Sequence, residues 1–179
     1  MKPETDQISG DSRGKRVIVM KKILRTLTLA SLVALLLLTV TACNGQQKAA
    51  DLDVKAVMAD MLEQYPIQDC MELSESDLLN FYGIQAEQVD DFAASLAADG
   101  ITANEIVLVK AKDEDSAAEV ETKLQNRLDA RRNELNGYLP DQYEIVEKSE
   151  VKRDGVYVRL IISPQQDALV ELYNSYLNG

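Results

Sequence analysis

A predominantly apolar run near the N-terminus divides this chain into two parts that have to be considered separately. The run covers residues 27–40 and is 14 residues long, and Lys21, Lys22 and Arg25 precede it with positive charge. A secretory signal peptide has an apolar core of about 7–15 residues, whereas a membrane-spanning helix needs about 20. We therefore predict that residues 20–42 form a signal peptide and take no part in the mature fold.

The end of this run resembles the lipobox of bacterial lipoproteins. The order is Val40, Thr41, Ala42 and Cys43, and in a lipobox small residues precede a cysteine that is lipidated and then becomes the N-terminal residue. A diacylglyceryl group on Cys43 would supply the two acyl chains that stable anchoring requires. The alternative is an uncleaved anchor helix, since residues 26–42 could tilt across a thin bilayer. Cleavage is favoured because the cysteine lies where a signal peptidase would cut.

Short polar segments lie on either side of the predicted signal peptide. Residues 1–19 lack apolar periodicity, and Met20 begins a sequence typical of signal peptides. We interpret residues 1–19 as an upstream extension from a miscalled start codon, with a functional cytoplasmic tail as the alternative. Residues 43–50 are predicted to be a short tether, of which the seven residues after the cysteine span at most about 24 Å. A single domain is then expected over residues 51–179.

The amino-acid composition excludes several kinds of active site and partner. The chain contains no histidine, which excludes Ser-His-Asp triads, Cys-His dyads and sites that bind zinc or haem through histidine. From Cys43 onward 27 acidic residues stand against 12 basic ones, a net charge of -15. This charge argues against nucleic-acid binding and would repel an anionic membrane surface, so membrane attachment has to come from the lipid. The predicted location is the extracytoplasmic face of the cell membrane.

The acidic segments do not match a known metal or catalytic motif. Counted from Asp113, a calcium-binding EF-hand loop would need glycine at its sixth position and glutamate at its twelfth. The chain has Ala118 and Leu124 at those positions. The adjacent Asp90 and Asp91 lack a glycosidase-type signature and are interpreted as solvated. We therefore predict no metal site, no cofactor and no enzymatic activity.

Two further features concern single residues. If Cys43 is lipidated, Cys70 has no disulfide partner, so it is either a reactive free thiol or a small buried apolar side chain. Burial is favoured because cysteine is among the most buried residue types. Glu105 and Arg127 are predicted to form a partly buried, structural ion pair between a strand and a helix.

Hydrophobic periodicity and capping residues predict four helices. The first covers residues 51–65. The second begins at Ser74, which opens a near capping box, and ends at Gly83. The third covers residues 116–136 and begins with a capping box at Ser116. The last begins at Ser163-Pro164, with the proline at the first helical position.

Strand signals are strongest in the C-terminal third of the chain. Residues 143–151 and 156–163 flank Asp154-Gly155, a pair that favours a two-residue type I′ hairpin turn. Ile161 makes the second face of the latter strand partly apolar and predicts partial cover there. Residues 106–109 form a further β-rich run, whereas residues 89–98 fit a helix and a strand equally well. The predicted fold is α+β, with a small antiparallel sheet of about four strands in two hairpins packed with three to four helices.

Several blocks of sequence, taken together with the lipobox, resemble a bacterial lipoprotein family known as domain of unknown function 4358. The resemblance covers about residues 54–176. It implies that residues 92–98 are a strand paired with residues 105–111. It implies no substrate, cofactor or catalytic residue. The blocks are Leu73–Gly83 followed by Ile84, Ala103–Ile106 with Lys110, Arg127 in the long helix, Tyr138–Pro140, Gly155–Val158 and Ile161–Ser163.

Three functions are consistent with the sequence. The first is a tethered interaction or accessory module that binds another envelope protein. The second is a small-ligand-binding lipoprotein with a single-domain pocket. The third is an enzyme that uses carboxylates only. We favour them in that order, because no catalytic set of residues is recognised.

Overall fold

A five-stranded sheet with helices on both faces forms the domain, as the computed structural model of residues 51–179 shows. The predicted signal peptide, lipobox and tether lie outside these described residues. The elements are α1 (Val54–Gln64), β1 (Cys70–Glu72), α2 (Glu75–Tyr82), β2 (Val89–Ala97), β3 (Glu105–Ala111), α3 (Glu114–Leu135), α4 (Pro140–Lys148), β4 (Val151–Asp154), β5 (Tyr157–Ile162) and α5 (Gln166–Asn178).

The sheet has the order β1-β2-β3-β5-β4, and every neighbouring pair is antiparallel. The predicted α+β class is therefore confirmed, with a fifth strand and a fifth helix in addition to the predicted number. The ambiguous residues 89–98 form β2, which pairs with β3 as the family resemblance implied. Helices cover both faces of this strand, so its small alanine side chains pack where local propensity alone favours a helix.

The second helix was predicted correctly at both ends. Ser74 accepts a hydrogen bond from the backbone N–H of Asp77, and the Asp77 carboxylate accepts one from the backbone N–H of Ser74. Gly83 follows the helix with a φ of 69°, a conformation that glycine adopts without steric cost. Two reciprocal hydrogen bonds and a left-handed glycine thus define α2.

The third helix begins two residues earlier than predicted. Asp113 caps it by accepting a hydrogen bond from the backbone N–H of Ser116 at 2.7 Å. The predicted capping box at Ser116 is therefore wrong, because that residue already lies in the first turn. An aspartate is as good a cap as serine, and the earlier start places Glu114 and Asp115 at the positive end of the helix.

A helix replaces most of the first predicted hairpin strand. Residues 140–148 form α4, and only Val151–Asp154 form a strand. Pro140 occupies the first helical turn, where its missing N–H costs nothing. The apolar residues Tyr143 and Val146 are three positions apart and pack into one cluster, so their spacing suits a helix better than a strand.

The hairpin turn and the start of the last helix also differ from the predictions. Asp154 pairs with Tyr157, so the loop is Gly155-Val156 rather than Asp154-Gly155. Gly155 alone has a positive φ, 62°, which is the pattern of a type II′ turn rather than type I′. The last helix begins at Gln166 and not at Pro164. The Ser163 hydroxyl accepts a hydrogen bond from the backbone N–H of Gln165 and forms a turn between β5 and α5.

The two faces of the sheet each bury a separate hydrophobic cluster. Helices α2, α3 and α4 cover one face, and α1 and α5 cover the other. Ile161, predicted to be partly covered, is 1% exposed. No helix between residues 51 and 179 is long and apolar enough to cross a membrane.

Candidate interaction surface

The predicted site residues fall into two groups. Val40, Thr41, Ala42 and Cys43 lie outside the described residues, so their predicted processing and lipidation stay predictions. The structure describes Cys70, Glu105 and Arg127, and it brings only the last two together.

The Glu105 carboxylate and the Arg127 guanidinium form a two-point contact. Arg127 Nη2 donates to Glu105 Oε2 at 2.8 Å, and Arg127 Nε donates to Oε1 at 3.1 Å. Glu105 is 2% exposed and begins β3, whereas Arg127 lies in the middle of α3. Burial lowers the pKa of Arg127, but the hydrogen bonds and charge of Glu105 outweigh it and raise that pKa. The pair therefore joins the sheet to its longest helix.

Aromatic and basic side chains surround this ion pair. The Arg127 guanidinium lies over the ring of Tyr82, 5.7 Å from its centre. Burial raises the pKa of Tyr82 well above the ordinary range, and the negative charge of Glu105 adds to the shift. Arg131, one helical turn beyond Arg127, contacts the exposed Glu134 at 2.7 Å. Each charge has an opposite charge beside it, as expected for a structural cluster.

The favoured interpretation of Cys70 as a buried side chain is wrong. Cys70 is exposed and begins β1, a three-residue strand at the edge of the sheet. All three residues of β1 are exposed, and the strand pairs with β2 along its inner edge. Three residues are too few to show a hydrophobic periodicity, so the sequence did not predict this short edge strand.

The start of the described chain is fixed to one end of the sheet. Lys110, near the end of β3, donates to the Asp51 carboxylate at 2.9 Å and lies 3.1 Å from Asp90. The backbone N–H of Leu52 donates to the hydroxyl of Tyr157, the first residue of β5. Hydrogen bonds to Asp51 and Asp90 raise the pKa of Lys110. The chain thus enters the domain at the C-terminal end of β3, which we call the entry end.

Two exposed apolar side chains lie at the opposite end of the sheet. Ile101 is 60% exposed in the β2–β3 loop, and Tyr138 is 76% exposed in the turn between α3 and α4. The backbone N–H of Ala103 donates to Gln142 Oε1 at 2.8 Å, which joins these two segments. Strand β3, which is about 17 Å long from Glu105 to Lys110, lies between the two ends. We refer to the two exposed side chains, Ile101 and Tyr138, together as the remote patch.

A partly open cavity of about 180 Å³ lies near the entry end. Two of its charged lining residues, Lys55 and Asp91, form an ion pair at 2.7 Å. This volume is below the roughly 300–1,000 Å³ typical of small-molecule sites. The remaining lining residues are Glu75, Leu78, Ala86, Val89, Asp90 and Phe92.

Several carboxylates have a pKa below the ordinary value, and each has a local structural cause. A hydrogen bond from Ser74 lowers the pKa of Asp77, and one from Thr102 lowers that of Asp99. A hydrogen bond from Ser116 likewise lowers the pKa of Asp113. These groups stay ionised at neutral pH and stabilise turns and helix ends, so they are poorly suited to act as general acids.

The buried charge of β5 was not recognised as a candidate site residue from the sequence. Arg159 is 4% exposed at the centre of β5, in contact with the ring of Tyr173 of α5. The sequence feature that could have revealed this buried charge is a single charged residue within the apolar run of residues 156–162. No group of three or more acidic or cysteine side chains that could hold a metal ion occurs within residues 51–179.

Comparison with known proteins gives one match. Residues 63–163 match the family model described as Domain of unknown function (DUF4358). The comparison with curated proteins yields no match, and neither does the comparison with solved structures. The matched residues extend from the end of α1 to the end of β5 and include the whole sheet. The chain therefore belongs to the family described as domain of unknown function 4358.

Proposed function

We propose that this protein is a lipid-anchored, extracytoplasmic module that acts by binding another envelope protein through the remote patch. The observation that carries the proposal is the separation of two features. The chain enters the domain beside Lys110, and the exposed apolar side chains of Ile101 and Tyr138 lie at the other end of the sheet.

A domain tethered at its entry end presents the remote patch away from the bilayer. The predicted tether after Cys43 spans at most about 24 Å, which keeps the entry end close to the lipid. Contiguous exposed apolar patches commonly mark protein-binding surfaces. Aromatic residues such as Tyr138 are enriched at the centre of such interfaces.

The net charge of the domain indicates which charges the surface of the partner should carry. Between residues 51 and 179 the chain has 27 acidic and 11 basic residues. Seven of those basic residues already form ion pairs within the domain. The surface is therefore rich in carboxylates, among them Asp99 and Asp141 close in sequence to the remote patch. We expect the partner to present an apolar patch bordered by lysine or arginine.

The cavity beside Lys55 gives weaker support to the alternative, a small-ligand-binding lipoprotein. Its volume of about 180 Å³ is small for an organic ligand, and charged side chains form much of its lining. An enzyme that uses carboxylates only has less support, because hydrogen bonds lower the pKa of Asp77, Asp99 and Asp113 rather than raise it.

Photo-crosslinking in living cells tests the proposal. A photoreactive amino acid replaces Ile101, Tyr138 or, as a matched control at the entry end, the exposed Lys112 in the full chain. We expect one and the same crosslinked product from positions 101 and 138, and none of it from position 112. Ile101→Asp should abolish the product formed from position 138, because a carboxylate there resists burial in an interface.

Two results would contradict the proposal. One is an equal yield of the same product from all three positions, since contact would then not depend on the remote patch. The other is a product from position 138 that persists in the Ile101→Asp variant. Ile101 is 60% exposed, so this substitution is not expected to unfold the domain.

A further inference from the structure

The side chains of Arg159 and Tyr173 leave hydrogen-bonding atoms without a partner on the face of the sheet that α1 and α5 cover. Arg159 is 4% exposed and Tyr173 is 1% exposed. Arg159 Nε and the Tyr173 hydroxyl are both buried, and neither has a hydrogen-bond partner. The guanidinium carbon of Arg159 lies 5.5 Å from the centre of the Tyr173 ring, so the two side chains are in contact. Buried polar atoms without partners are rare in native proteins.

The positive charge at this location is incompletely compensated. The nearest carboxylate, that of Glu150, lies 3.5 Å from Arg159 Nη2, and its side chain is 63% exposed. A buried guanidinium normally has a closer counter-ion with additional hydrogen bonds. The Arg127–Glu105 contact at 2.8 Å in the same domain shows the usual arrangement.

The register of the sheet brings a second cation to the same place. Lys152 of β4 lies directly opposite Arg159 of β5. Directly opposite residues of antiparallel strands point to the same face, and like charges in such pairs are destabilising. Lys152 is exposed at the edge of the sheet and forms no ion pair among the described residues. The edge position of β4 leaves the Lys152 side chain open to solvent, opposite the buried Arg159.

We propose that Arg159, Tyr173 and Lys152 form a binding site for a small oxyanion, such as a carboxylate or phosphate group. Arg159 Nε and the Lys152 ammonium can only donate hydrogen bonds, and the Tyr173 hydroxyl can donate a third. A ligand with several acceptor oxygens and a negative charge satisfies all three and separates the two cations. A water molecule accepts these hydrogen bonds but carries no negative charge to compensate the two cations. The site goes beyond the proposed protein-binding function and does not depend on membrane attachment.

Two carboxylates border the site and set its selectivity. Glu150 contacts Arg159 on the outer side, and the negative charge of Asp154 adds to the burial that raises the pKa of Tyr173. Neither accepts a hydrogen bond from Arg159 Nε or from the Tyr173 hydroxyl. Their presence favours a compact anion that reaches the donors over a large polyanion, which the acidic surface would repel.

A titration of the full chain in non-ionic detergent tests the site. Sodium phosphate and sodium acetate are added separately at constant ionic strength, and the Nε–H resonance of Arg159 is followed by NMR. We expect a saturable shift with at least one of the two anions. Preference for phosphate identifies a phosphate group as the natural ligand, and preference for acetate identifies a carboxylate.

Conservative variants separate this site from non-specific binding. Tyr173→Phe keeps the buried ring and removes one donor, so it should weaken binding about fivefold. Lys152→Met should also weaken binding and reduce its dependence on salt. Tyr176→Phe is the matched control, because its hydroxyl binds Asp60 instead, and it should bind as the native chain does. A shift that does not saturate, or that is the same in the native chain and in Tyr173→Phe, would overturn the proposal.

Discussion

Arg127 Nη2 lies 2.8 Å from Glu105 Oε2, with the carboxylate 2% exposed and the arginine side chain 22% exposed. The contact joins the first residue of β3 to the middle of α3, 22 positions later. Because the two partners differ in exposure, the cost of losing one partner depends on which of them remains. Variants that lack one or both partners should therefore differ in their free energy of unfolding.

We expect Arg127→Met to destabilise the domain by about 3–5 kcal/mol, because it leaves the Glu105 carboxylate buried without a counter-charge. Glu105→Gln should cost less, since the remaining guanidinium is partly exposed and still contacts the Tyr82 ring. Replacing both residues, Glu105→Leu with Arg127→Met, should recover much of the loss. Urea unfolding curves give the three free energies.

The exposed partner of a neighbouring arginine provides the control. Glu134 contacts Arg131 but is 60% exposed, so Glu134→Gln should change the free energy of unfolding by less than about 1 kcal/mol. If Arg127→Met is no more destabilising than Glu134→Gln, the Glu105–Arg127 ion pair does not stabilise the fold.

The raised pKa of Tyr82 predicts a loss of stability in alkali. The folded state holds the phenol neutral, mainly through burial, whereas the unfolded chain ionises it near pH 10. The stability that comes from keeping this phenol neutral is therefore fully present below about pH 10 and is lost as the pH rises above it. Tyr82→Phe should make the pH dependence above pH 10 shallower by up to about 1.4 kcal/mol per pH unit. Unfolding free energies measured between pH 9 and 11 check this.

Tyr138→Phe is the matched control for the alkaline measurement, because its hydroxyl is attached to a side chain that is 76% exposed. Its pH profile should follow that of the native chain. If the unfolding free energy of Tyr82→Phe falls with pH as steeply as that of the native chain, the buried phenol of Tyr82 is not the cause of the alkaline loss of stability.

Where local chemistry alone determines an element, the sequence predicted it well. The capping box at Ser74 and Asp77 and the left-handed Gly83 are determined by residues in contact along the chain, so α2 was predicted to the residue. The pairing of Glu105 with Arg127 was also inferred, because one residue begins a strand and the other lies inside a helix. The capping rules do not depend on the rest of the fold, whereas the Glu105–Arg127 pair is a tertiary contact between a strand and a helix.

Elements that depend on distant contacts were predicted less well. Residues 143–146 contain the β-favouring side chains Tyr143, Ile145 and Val146, but they form a helix that packs against α3. Strand β1 is three residues long and exists only because β2 provides its hydrogen bonds. The buried position of Arg159 was missed for the same reason, since α5 covers it from the end of the chain. Tertiary contacts override local propensity at these places.

The exposed position of Cys70 predicts a reactive thiol in the native protein. We expect a water-soluble maleimide to label Cys70 completely without denaturant, because the residue is exposed on the edge strand β1. Intact mass spectrometry of the native chain counts the added groups, and Cys70→Ser is the control that should show no labelling of the domain. Labelling of Cys70 that requires denaturant would contradict its exposed position.

Cys43→Ser tests the predicted anchor, on which the proposed orientation of the remote patch depends. In the native chain we expect loss of the first 42 residues and incorporation of labelled palmitate at Cys43. The variant should incorporate none and should be released from the membrane or stall as the unprocessed form. Cys70→Ser is the matched control, because it removes the other cysteine of the chain and should leave labelling and retention unchanged.

Because the acidic domain is repelled by anionic lipid, two acyl chains are the expected source of membrane affinity. The opposite result would be that the native chain keeps its first 42 residues and that the Cys43→Ser chain stays in the membrane. That result would identify residues 26–42 as an uncleaved anchor helix.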